Sequence, residues 1–233
     1  SFLKTAINQA FWNNKIQAAF DVRKSLGLTE NANTNIYRLM HAEGDGVPGL
    51  IIDFYNGTAV VQAHSIGIYN ALDKINKALQ KIYGNKLVAV YNKSAESLAK
   101  QTDEVVENGY IYQRVEPQLV GLEYGNQFNL DWINGQKTGF FLDQRENRKL
   151  IADFSKNKKV LNTFCYSGGF SVSALKAGAS EVHSVDSSQK AIELTDANIK
   201  LNKLKNHQSY VSDTMEYLKN NTIDYDVIIL DPP

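Results

Sequence analysis

The chain has 233 residues, with 25 basic and 25 acidic side chains and a formal net charge of +0. Hydrophobic residues make up 43% of the sequence and charged residues 21%, which is ordinary for a globular protein. The balanced charge argues against a surface that coats nucleic acid, and no apolar run reaches the ~20 residues that a membrane-spanning helix needs. We therefore expect a cytoplasmic globular protein, and a single cysteine fits a reducing compartment.

The first half of the chain predicts a small α+β module. An amphipathic helix is expected at 2–26, followed by a polar linker at 29–35. The dipeptide Asn56-Gly57 between two apolar runs predicts a β-hairpin with strands at 50–55 and 58–63. The remaining elements expected in this half are strands at 36–40, 87–91 and 110–113 and a helix at 68–82.

In the second half, strands and helices alternate with short connections. The expected strands are 159–163, 181–186, 209–211 and 226–230, and the expected helices are 169–177, 188–202 and 213–219. This alternation predicts an α/β fold with a parallel, doubly wound, Rossmann-like sheet. Since nothing in the sequence covers the last strand, we expect only the first part of such a domain. The predicted division is an N-terminal helix and linker (1–29), a small α+β domain (30–116) and the Rossmann-like domain (117–233).

Candidate ligand residues follow successive strands of the predicted sheet, at the edge where open parallel sheets bind ligands. Gly168 and Gly169 follow the first strand and open a helix whose N–H groups favour an anion. Asp186 follows the second strand, where an acid accepts from ribose hydroxyls, and Asp213 follows the third, facing an adenine amino group. Asp231 follows the fourth. Because the first loop lacks the G-x-G-x-x-G spacing, this ordered set favours S-adenosylmethionine over NAD.

Each of these features also has a structural explanation. A glycine pair can serve a tight turn, and Asp186 can cap the helix that follows it. Cys165, the single cysteine, can be a nucleophile or a small buried hydrophobe. No metal is expected, because the histidines lack metal-ligand spacing and are scattered at His41, His64, His183 and His207.

A further helix start is expected near residue 144, with Asp143 as its N-cap. Basic residues cluster in this region, at Arg145, Arg148, Lys149, Lys156, Lys158 and Lys159. They can contact phosphate groups, and a solvated helix face and loop explains them equally well.

Four motifs carry a resemblance to a known family: GQKTGFFLDQR at 135–145, NTFCYSGGFSVSALKAGA at 162–179, VDSS at 185–188 and ILDPP at 229–233. Together they resemble the class I 23S ribosomal RNA cytosine-C5 methyltransferases. The segment EGDGVPGLIID at 43–53 is similar to the part of that family that follows its RNA-binding PUA domain. The resemblance implies three domains, of which the PUA domain and the second half of the methyltransferase domain are not in this sequence.

The resemblance implies S-adenosylmethionine as the cofactor and ribosomal RNA of the large subunit as the partner. Together with the loop positions, it assigns the cofactor to Thr138, Gln144, Arg145, Phe164, Tyr166, Ser167, Gly168, Gly169, Phe170, Asp186, Ser187, Asn198, Asp213 and Asp231. Asp231 is also expected to face the target base as a catalytic residue. We leave a homodimer open.

The implied reaction is methylation of cytosine at C5, which requires a thiolate to add to C6. In the family that thiolate comes from a cysteine beyond the Asp-Pro-Pro motif, so we expect the nucleophile beyond Pro233, Cys165 as a bystander, and the chain alone to be inactive. Two alternatives stay open. One is a nitrogen methyltransferase on guanine or adenine of RNA, and the other is a non-catalytic RNA-binding or assembly module that keeps the cofactor fold.

Overall fold

The structure is a computed structural model, and it describes residues 6–102 and 105–232. The chain divides into two compact units: the first holds the described residues of 1–122 together with Leu130–Leu142, and the second holds Glu123–Asn129 and the described residues from Asp143 onward. This grouping differs from the predicted division at residues 29 and 116. The N-terminal helix packs within the first unit, and residues 130–142 also belong there.

The first unit is built on a five-stranded sheet in the order β1-β2-β3-β4-β5. Its elements are α1 (Gln9–Ser25), β1 (Ile36–His41), β2 (Leu50–Tyr55), β3 (Thr58–Ala63), α2 (Ile66–Tyr69), α3 (Leu72–Tyr83), β4 (Ala89–Asn92), α4 (Ala95–Leu98) and β5 (Gly109–Gln113). Strands β3 and β4 are parallel, and the other neighbours are antiparallel. Short 3-10 helices lie at Ala42–Asp45, Gly84–Lys86 and Leu142–Gln144.

Helix α1 begins later than the sequence predicts. The side chain of Asn8 accepts the backbone N–H of Phe11 at 3.1 Å, so this residue caps a helix that starts at Gln9. Residues 6–8 are therefore not helical, and residues 2–5 of the predicted helix lie outside the described residues. The helix buries an apolar stripe that consists of Trp12, Ile16 and Ala19.

The predicted Asn-Gly hairpin is confirmed. Asn56 and Gly57 both have positive φ, +45° and +98°, as a type I′ turn between β2 and β3 requires. A Cβ on Gly57 would lie 2.9 Å from Val88 Cγ2, so glycine is also needed for packing. The predicted helix at 68–82 is instead two helices, α2 and α3, separated by Asn70 and Ala71.

Strands β6 (Val120–Glu123) and β7 (Asn126–Asn129) form a two-stranded hairpin that the sequence did not predict. Its turn is Tyr124-Gly125, with φ of +50° and +77°. A tyrosine at the first turn position is not the usual type I′ residue, and each strand is only four residues long, so the sequence signal is weak. The division between the two units falls within this hairpin.

The second unit confirms the Rossmann-like α/β fold. Its further elements are α5 (Arg145–Ser155), β8 (Lys159–Thr163), α6 (Gly169–Lys176), β9 (Glu181–Asp186), α7 (Gln189–Leu201), β10 (His207–Val211), α8 (Thr214–Asn220) and β11 (Val227–Leu230). The four strands are all parallel and lie in the order β10-β9-β8-β11. Since β8 lies centrally, the connections leave it in both directions, which creates the switch point at which such sheets bind ligands.

The part of the chain that the structure describes contains neither a membrane-spanning helix nor a cluster of metal-ligating side chains. None of the helices there combines the length and the apolar character that crossing a bilayer requires. Within residues 6–102 and 105–232, no cluster of three or more His, Cys, Asp or Glu side chains could hold a metal ion.

Candidate cofactor-binding site

The carboxyl ends of the parallel strands bring most of the predicted site residues to one edge of the second unit. Strand β8 ends at Thr163, β9 at Asp186, β10 at Val211 and β11 at Leu230. The segments after these ends carry Phe164, Tyr166, Ser167, Gly168, Gly169, Phe170, Asp186, Ser187, Asp213 and Asp231. The predicted order of loops along the sheet edge is therefore present in the fold.

The loop after β8 has an unusual backbone. Phe164, Tyr166 and Gly168 all have positive φ, +52°, +46° and +68°, so every second residue of the loop is left-handed. The N–H of Cys165 donates to the carbonyl of Val185 at 3.2 Å, which fastens the loop to β9. Bulky aromatic residues in the left-handed region are uncommon, and such strain is typical of functional loops.

Asp186 ties the end of β9 to this loop. Its Oδ2 accepts the backbone N–H of Tyr166 at 3.0 Å, and its Oδ1 accepts that of Ser188 at 2.9 Å. The alternative reading of Asp186 as a helix N-cap is wrong, because Ser188 caps α7 by accepting the N–H of Ala191 at 3.3 Å. Each carboxylate oxygen of Asp186 accepts one of these bonds and retains lone pairs for hydroxyl donors.

The glycine pair is required by packing as well as by backbone geometry. A Cβ on Gly168 would lie 2.6 Å from Thr195 Cγ2, and a Cβ on Gly169 would lie 3.0 Å from Arg148 Cδ. Gly168 also has φ +68°, a conformation that L side chains rarely adopt. Glycine is therefore required at Gly168, whereas a Cβ on Gly169 would require Arg148 to shift by a few tenths of an ångström.

Asn198, predicted as a cofactor ligand, lies behind the loop and is fully buried. Its Nδ2 donates to the carbonyl of Ser167 at 2.8 Å. Its Oδ1 accepts the backbone N–H of Asn129 at 2.8 Å. The side chain thus holds the loop to β7 from inside the unit.

Cys165 is buried under the same loop. Its Sγ lies 3.5 Å from Thr195 Oγ1. Burial, together with the nearby negative charge of Asp186, raises the pKa of the Cys165 thiol to about 12. The thiol is therefore protonated at neutral pH, which is the state of a packing residue and not of a nucleophile.

Asp213, predicted to face the adenine, performs a structural task in the fold. Its Oδ1 accepts the N–H groups of Met215 and Glu216 at 2.8 and 3.1 Å, which caps α8. The side chain remains exposed at the sheet edge. Phe170 is half-buried in the first turn of α6, and Ser187 is exposed directly after β9.

The start of α5 meets the end of β11 within the second unit. Gln144 Nε2 donates to Asp231 Oδ2 at 3.0 Å, so two predicted site residues contact each other. Arg145 Nε donates to Glu146 at 2.9 Å, an exposed pair of modest strength. The expectation that Asp143 caps this helix is wrong: Gln144 occupies the N-cap position, and no side chain caps the helix there.

Thr138 belongs to the first unit, where a network missed by the sequence analysis holds it. Its Oγ1 donates to Asp53 Oδ2 at 2.5 Å and lies 2.8 Å from the hydroxyl of Tyr55. Arg38 donates to both oxygens of Asp53 at 2.9 and 3.0 Å. Tyr55 also donates to the carbonyl of Phe140 at 3.2 Å. The Thr138 hydroxyl is thus buried and bonded.

The side chains at the edge of the second unit fit an adenosine-containing cofactor. Such a ligand offers hydroxyl donors on its ribose and an amino donor on its adenine. Asp186, Asp213 and Asp231 supply carboxylate acceptors that are half-buried or exposed. Phe164 and Tyr166 supply half-buried rings on the loop, and aromatic rings stack favourably on a heterocycle.

Comparison with known proteins gives the same result. The sequence matches the S-adenosylmethionine-dependent methyltransferase family over residues 38–233. It is 40% identical to the Aeromonas hydrophila ribosomal RNA large subunit methyltransferase I over 214 residues, which cover 89% of this chain and 53% of that protein. It is 36% identical to the protein of the same name from Escherichia coli over 234 residues, covering 98% of this chain and 58% of that protein. The chain therefore spans a little more than half the length of these relatives.

Solved structures agree with the family match. A crystal structure of SMU.776 in complex with SAH has a TM-score of 0.88 and 31% identity, covering 100% of this chain and 60% of that one. A Streptococcus mutans structure described as a SAM-dependent methyltransferase has a TM-score of 0.87 and 30% identity, covering 99% and 60%. The predicted fold and the predicted cofactor, S-adenosylmethionine, are confirmed. The chain belongs to the S-adenosylmethionine-dependent methyltransferase family.

Proposed function

We propose that the protein transfers a methyl group from S-adenosylmethionine to ribosomal RNA of the large subunit, at C5 of a cytosine. The substrate class is supported by two relatives that carry the name ribosomal RNA large subunit methyltransferase I, at 40% and 36% identity. The position on the base is supported by the motifs that resemble the cytosine-C5 methyltransferases, above all GQKTGFFLDQR at 135–145.

The observation that carries the cofactor assignment is the contact between Asp186 and Tyr166. A carboxylate that accepts two backbone N–H groups, at 3.0 and 2.9 Å, is held in place beside the loop. In the proposal Asp186 accepts from the ribose hydroxyls, and Asp213 accepts from the adenine amino group. The loop from Phe164 to Phe170 lines the cofactor, with Ser187 next to the ribose.

Two further residues are proposed for the methionine end of the cofactor, Gln144 and Arg145. Thr138, also predicted there, is buried in the first unit and bonded to Asp53, so we assign it no contact with the cofactor. An arginine provides several N–H donors in a planar fork, which suits a carboxylate. Asn198 is assigned a different task from the one predicted: since its amide is buried, we propose that it positions Ser167 and does not touch the ligand. When bound, S-adenosylmethionine supplies an electrophilic methyl group.

We propose that Asp231 contacts the target base. Gln144 holds its Oδ2 at 3.0 Å, at the end of β11. A carboxylate there can accept a hydrogen bond from an exocyclic amino group of the base. Cys165 is not the thiol that adds to C6, because it is buried and its pKa is raised to about 12.

Calorimetry tests the cofactor assignment. Asp186→Ala is expected to weaken S-adenosylmethionine binding by about 1–3 kcal/mol, the usual loss when a hydrogen-bond acceptor is removed. Asp224→Ala is the matched control, because Asp224 is an exposed carboxylate in the loop before β11. Unchanged binding in Asp186→Ala contradicts the assignment of the ribose to this residue.

Analysis of the reaction product tests the substrate and the position. Large-subunit ribosomal RNA is incubated with the full-length protein and isotopically labelled S-adenosylmethionine, digested to nucleosides and analysed by mass spectrometry. Labelled 5-methylcytidine is the expected product. Labelled N-methylguanosine or N-methyladenosine would support the nitrogen methyltransferase instead. RNA binding without any labelled nucleoside would support the non-catalytic module.

A further inference from the structure

A second pocket lies in the second unit, away from the edge that carries the cofactor residues. It has a volume of about 190 Å³ and lies between the turn of the β6–β7 hairpin, helix α5 and the end of α6. Helix α6 starts at Gly169 in the cofactor loop, whereas the pocket contacts its last residue, Lys176. Its lining residues are Tyr124, Asn126, Arg148, Lys149, Lys176 and three small ones, Ala152, Ser173 and Ala177.

A buried acceptor in this pocket has no protein partner. Among the described residues, the Oδ1 atom of Asn126 is buried and accepts no hydrogen bond, and the whole residue is only 7% exposed. Buried polar side chains nearly always find a partner, and an unpaired one destabilises the fold. The amide oxygen of Asn126, in a residue that lines the pocket, therefore leaves an acceptor position open for a hydrogen-bond donor.

Tyr124 holds an aromatic ring at the same pocket in a strained backbone conformation. Its φ is +50°, which disfavours a bulky side chain, and asparagine or glycine is the usual residue at this turn position. The hydroxyl donates to Glu146 at 2.7 Å, which fixes the ring, and 42% of the residue remains exposed. A tyrosine kept at this position against its backbone preference points to a use for its ring.

The cations around the pocket are of two kinds. Arg148 forms a buried bidentate pair with Glu123 at 2.6 and 2.7 Å, so its charge is neutralised. In contrast, among the residues that the structure describes, neither Lys149 nor Lys176 has a carboxylate within 4.0 Å. The Lys149 ammonium lies 5.4 Å from the centre of the Tyr124 ring. Two ammonium groups without a carboxylate within 4.0 Å favour a ligand with negative charge.

The ion pairs also account for most of the basic residues that cluster at 145–159 in the sequence. Arg145, Arg148, Lys158 and Lys159 each have a carboxylate partner in the structure. Among the described residues, Lys149 and Lys156 have none within 4.0 Å, and of these two Lys149 lines the pocket.

We propose that this pocket binds one nucleotide of an RNA strand. A base stacks on Tyr124 and donates a hydrogen bond to Asn126, and the flanking phosphates contact Lys149 and Lys176. A nucleotide combines an anionic phosphate, a flat aromatic base and a base edge that can hydrogen-bond to an amide. Stacking of bases on aromatic side chains is a general mode of single-strand binding. The choice of RNA as the ligand rests on the proposed function, whereas the evidence that the pocket binds an anionic ligand does not.

Fluorescence anisotropy with a labelled single-stranded RNA of mixed sequence tests the charge contribution. In Lys149→Ala/Lys176→Ala, affinity should fall about fivefold or more, and the slope of log affinity against log salt should decrease by about 0.7 for each lost phosphate contact. The control Lys200→Ala/Lys203→Ala removes the same charge from exposed lysines at the end of α7. Equal affinities in the two double variants, or no binding by the unaltered protein, overturn the proposal.

Tyr124→Asn tests the ring without disturbing the turn, because asparagine tolerates the left-handed conformation. The expected result is an unchanged or higher melting temperature together with RNA binding about fivefold weaker or more, as for the loss of one stacked base. Retained RNA affinity in this variant overturns the proposal.

Calorimetry with S-adenosylmethionine separates the pocket from the proposed function. Both pocket variants should bind the cofactor as the unaltered protein does, whereas Asp186→Ala should lose cofactor affinity and keep its RNA affinity. If the unaltered full-length protein binds RNA at the pocket but yields no methylated nucleoside, the proposed function is wrong and the pocket stands.

Discussion

Asn198 donates its Nδ2 to the backbone carbonyl of Ser167 at 2.8 Å, from a fully buried position on α7. The same amide accepts the N–H of Asn129 in β7 at 2.8 Å, so one side chain joins the cofactor loop to the hairpin. The loop is strained at Phe164 and Tyr166. A strained loop keeps its conformation only if its surroundings hold it, and Asn198 is one of the residues that do so.

Asn198→Ala should therefore destabilise the protein by about 2–4 kcal/mol, since it leaves buried backbone groups of Ser167 and Asn129 without partners. Cofactor affinity should fall as well, because the loop loses a support. Asn202→Ala is a matched control: Asn202 makes the same pair of bonds to Gln127, at 2.8 and 2.7 Å, but at an exposed site where water can replace them. Chemical denaturation measures both variants, and equal losses would contradict the role of burial.

Gly168→Ala should also destabilise the loop, by about 2–4 kcal/mol. The new Cβ would lie 2.6 Å from Thr195 Cγ2, and alanine disfavours φ +68°. Gly178→Ala isolates the backbone contribution, because Gly178 has φ +95° but no atom closer than 3.9 Å to its Cβ position. That control should lose only about 1–2 kcal/mol.

The steric part of the Gly168→Ala effect can be tested by relief of the clash. Thr195→Ser removes the Cγ2 methyl group but keeps the hydroxyl that donates to the carbonyl of Tyr166 at 3.0 Å. In the double variant Gly168→Ala/Thr195→Ser, melting temperature and cofactor affinity should recover in part. No recovery would show that the contact with Cγ2 does not account for the loss, because the contacts with Thr195 Oγ1 at 2.9 Å and Cβ at 3.0 Å remain.

Cys165 should react slowly with thiol reagents in the folded protein. Because burial raises its pKa to about 12, little thiolate is present at pH 7–8. Alkylation by iodoacetamide, followed by mass spectrometry, should be slow in buffer and fast in urea. In the full-length protein Cys165→Ser should retain methyl transfer, and loss of a covalent RNA adduct in this variant with cofactor binding intact would identify Cys165 as the nucleophile after all.

Acid stability should depend on Glu181. The hydrogen bond from Lys159 and the contact with His183 lower the pKa of Glu181 from 4.5 to about 2. A lowered pKa stabilises the fold fully above pH 4.5, and this stabilisation is lost as pH falls towards 2. The free energy of unfolding should therefore fall less steeply between pH 4.5 and 2 in Glu181→Gln than in the unaltered protein. Glu193→Gln, at an exposed position on α7, should follow the unaltered curve.

The elements that the sequence predicted well are those with a strong local signal. The strands β2, β3, β8 and β9 agree with prediction at both ends, because each is an apolar run bounded by turn residues or a charged residue. The β6–β7 hairpin was missed, since its turn uses Tyr124 in place of asparagine. A local sequence pattern does not reveal that a residue adopts a strained backbone conformation.

The sequence was sufficient to predict which loops form the site, but not which side chains contact each other there. The positions of Asp186 and Asp213 follow from where the strands end, which the sequence indicates. The burial of Asn198 depends on Asn129, which is 69 residues away in the chain. Likewise, the Thr138 hydroxyl is bonded to Asp53 across 85 residues. Such long-range partners leave no periodic trace in the sequence, so a motif alone cannot separate a ligand from a support.

Because the chain alternates between its two compact units, only some truncated fragments can retain a complete unit. Residues 123–129 belong to the second unit and residues 130–142 to the first, so the chain passes between the units three times. A fragment that starts at Asp143 would lack Glu123, the partner of the buried Arg148, as well as Asn129. A fragment that starts at residue 117 would carry residues 130–142 without the unit in which they are buried. A usable truncation therefore has to keep 123–129, bridge the gap to Asp143 with a designed linker, and omit all but the last three residues of the GQKTGFFLDQR motif at 135–145.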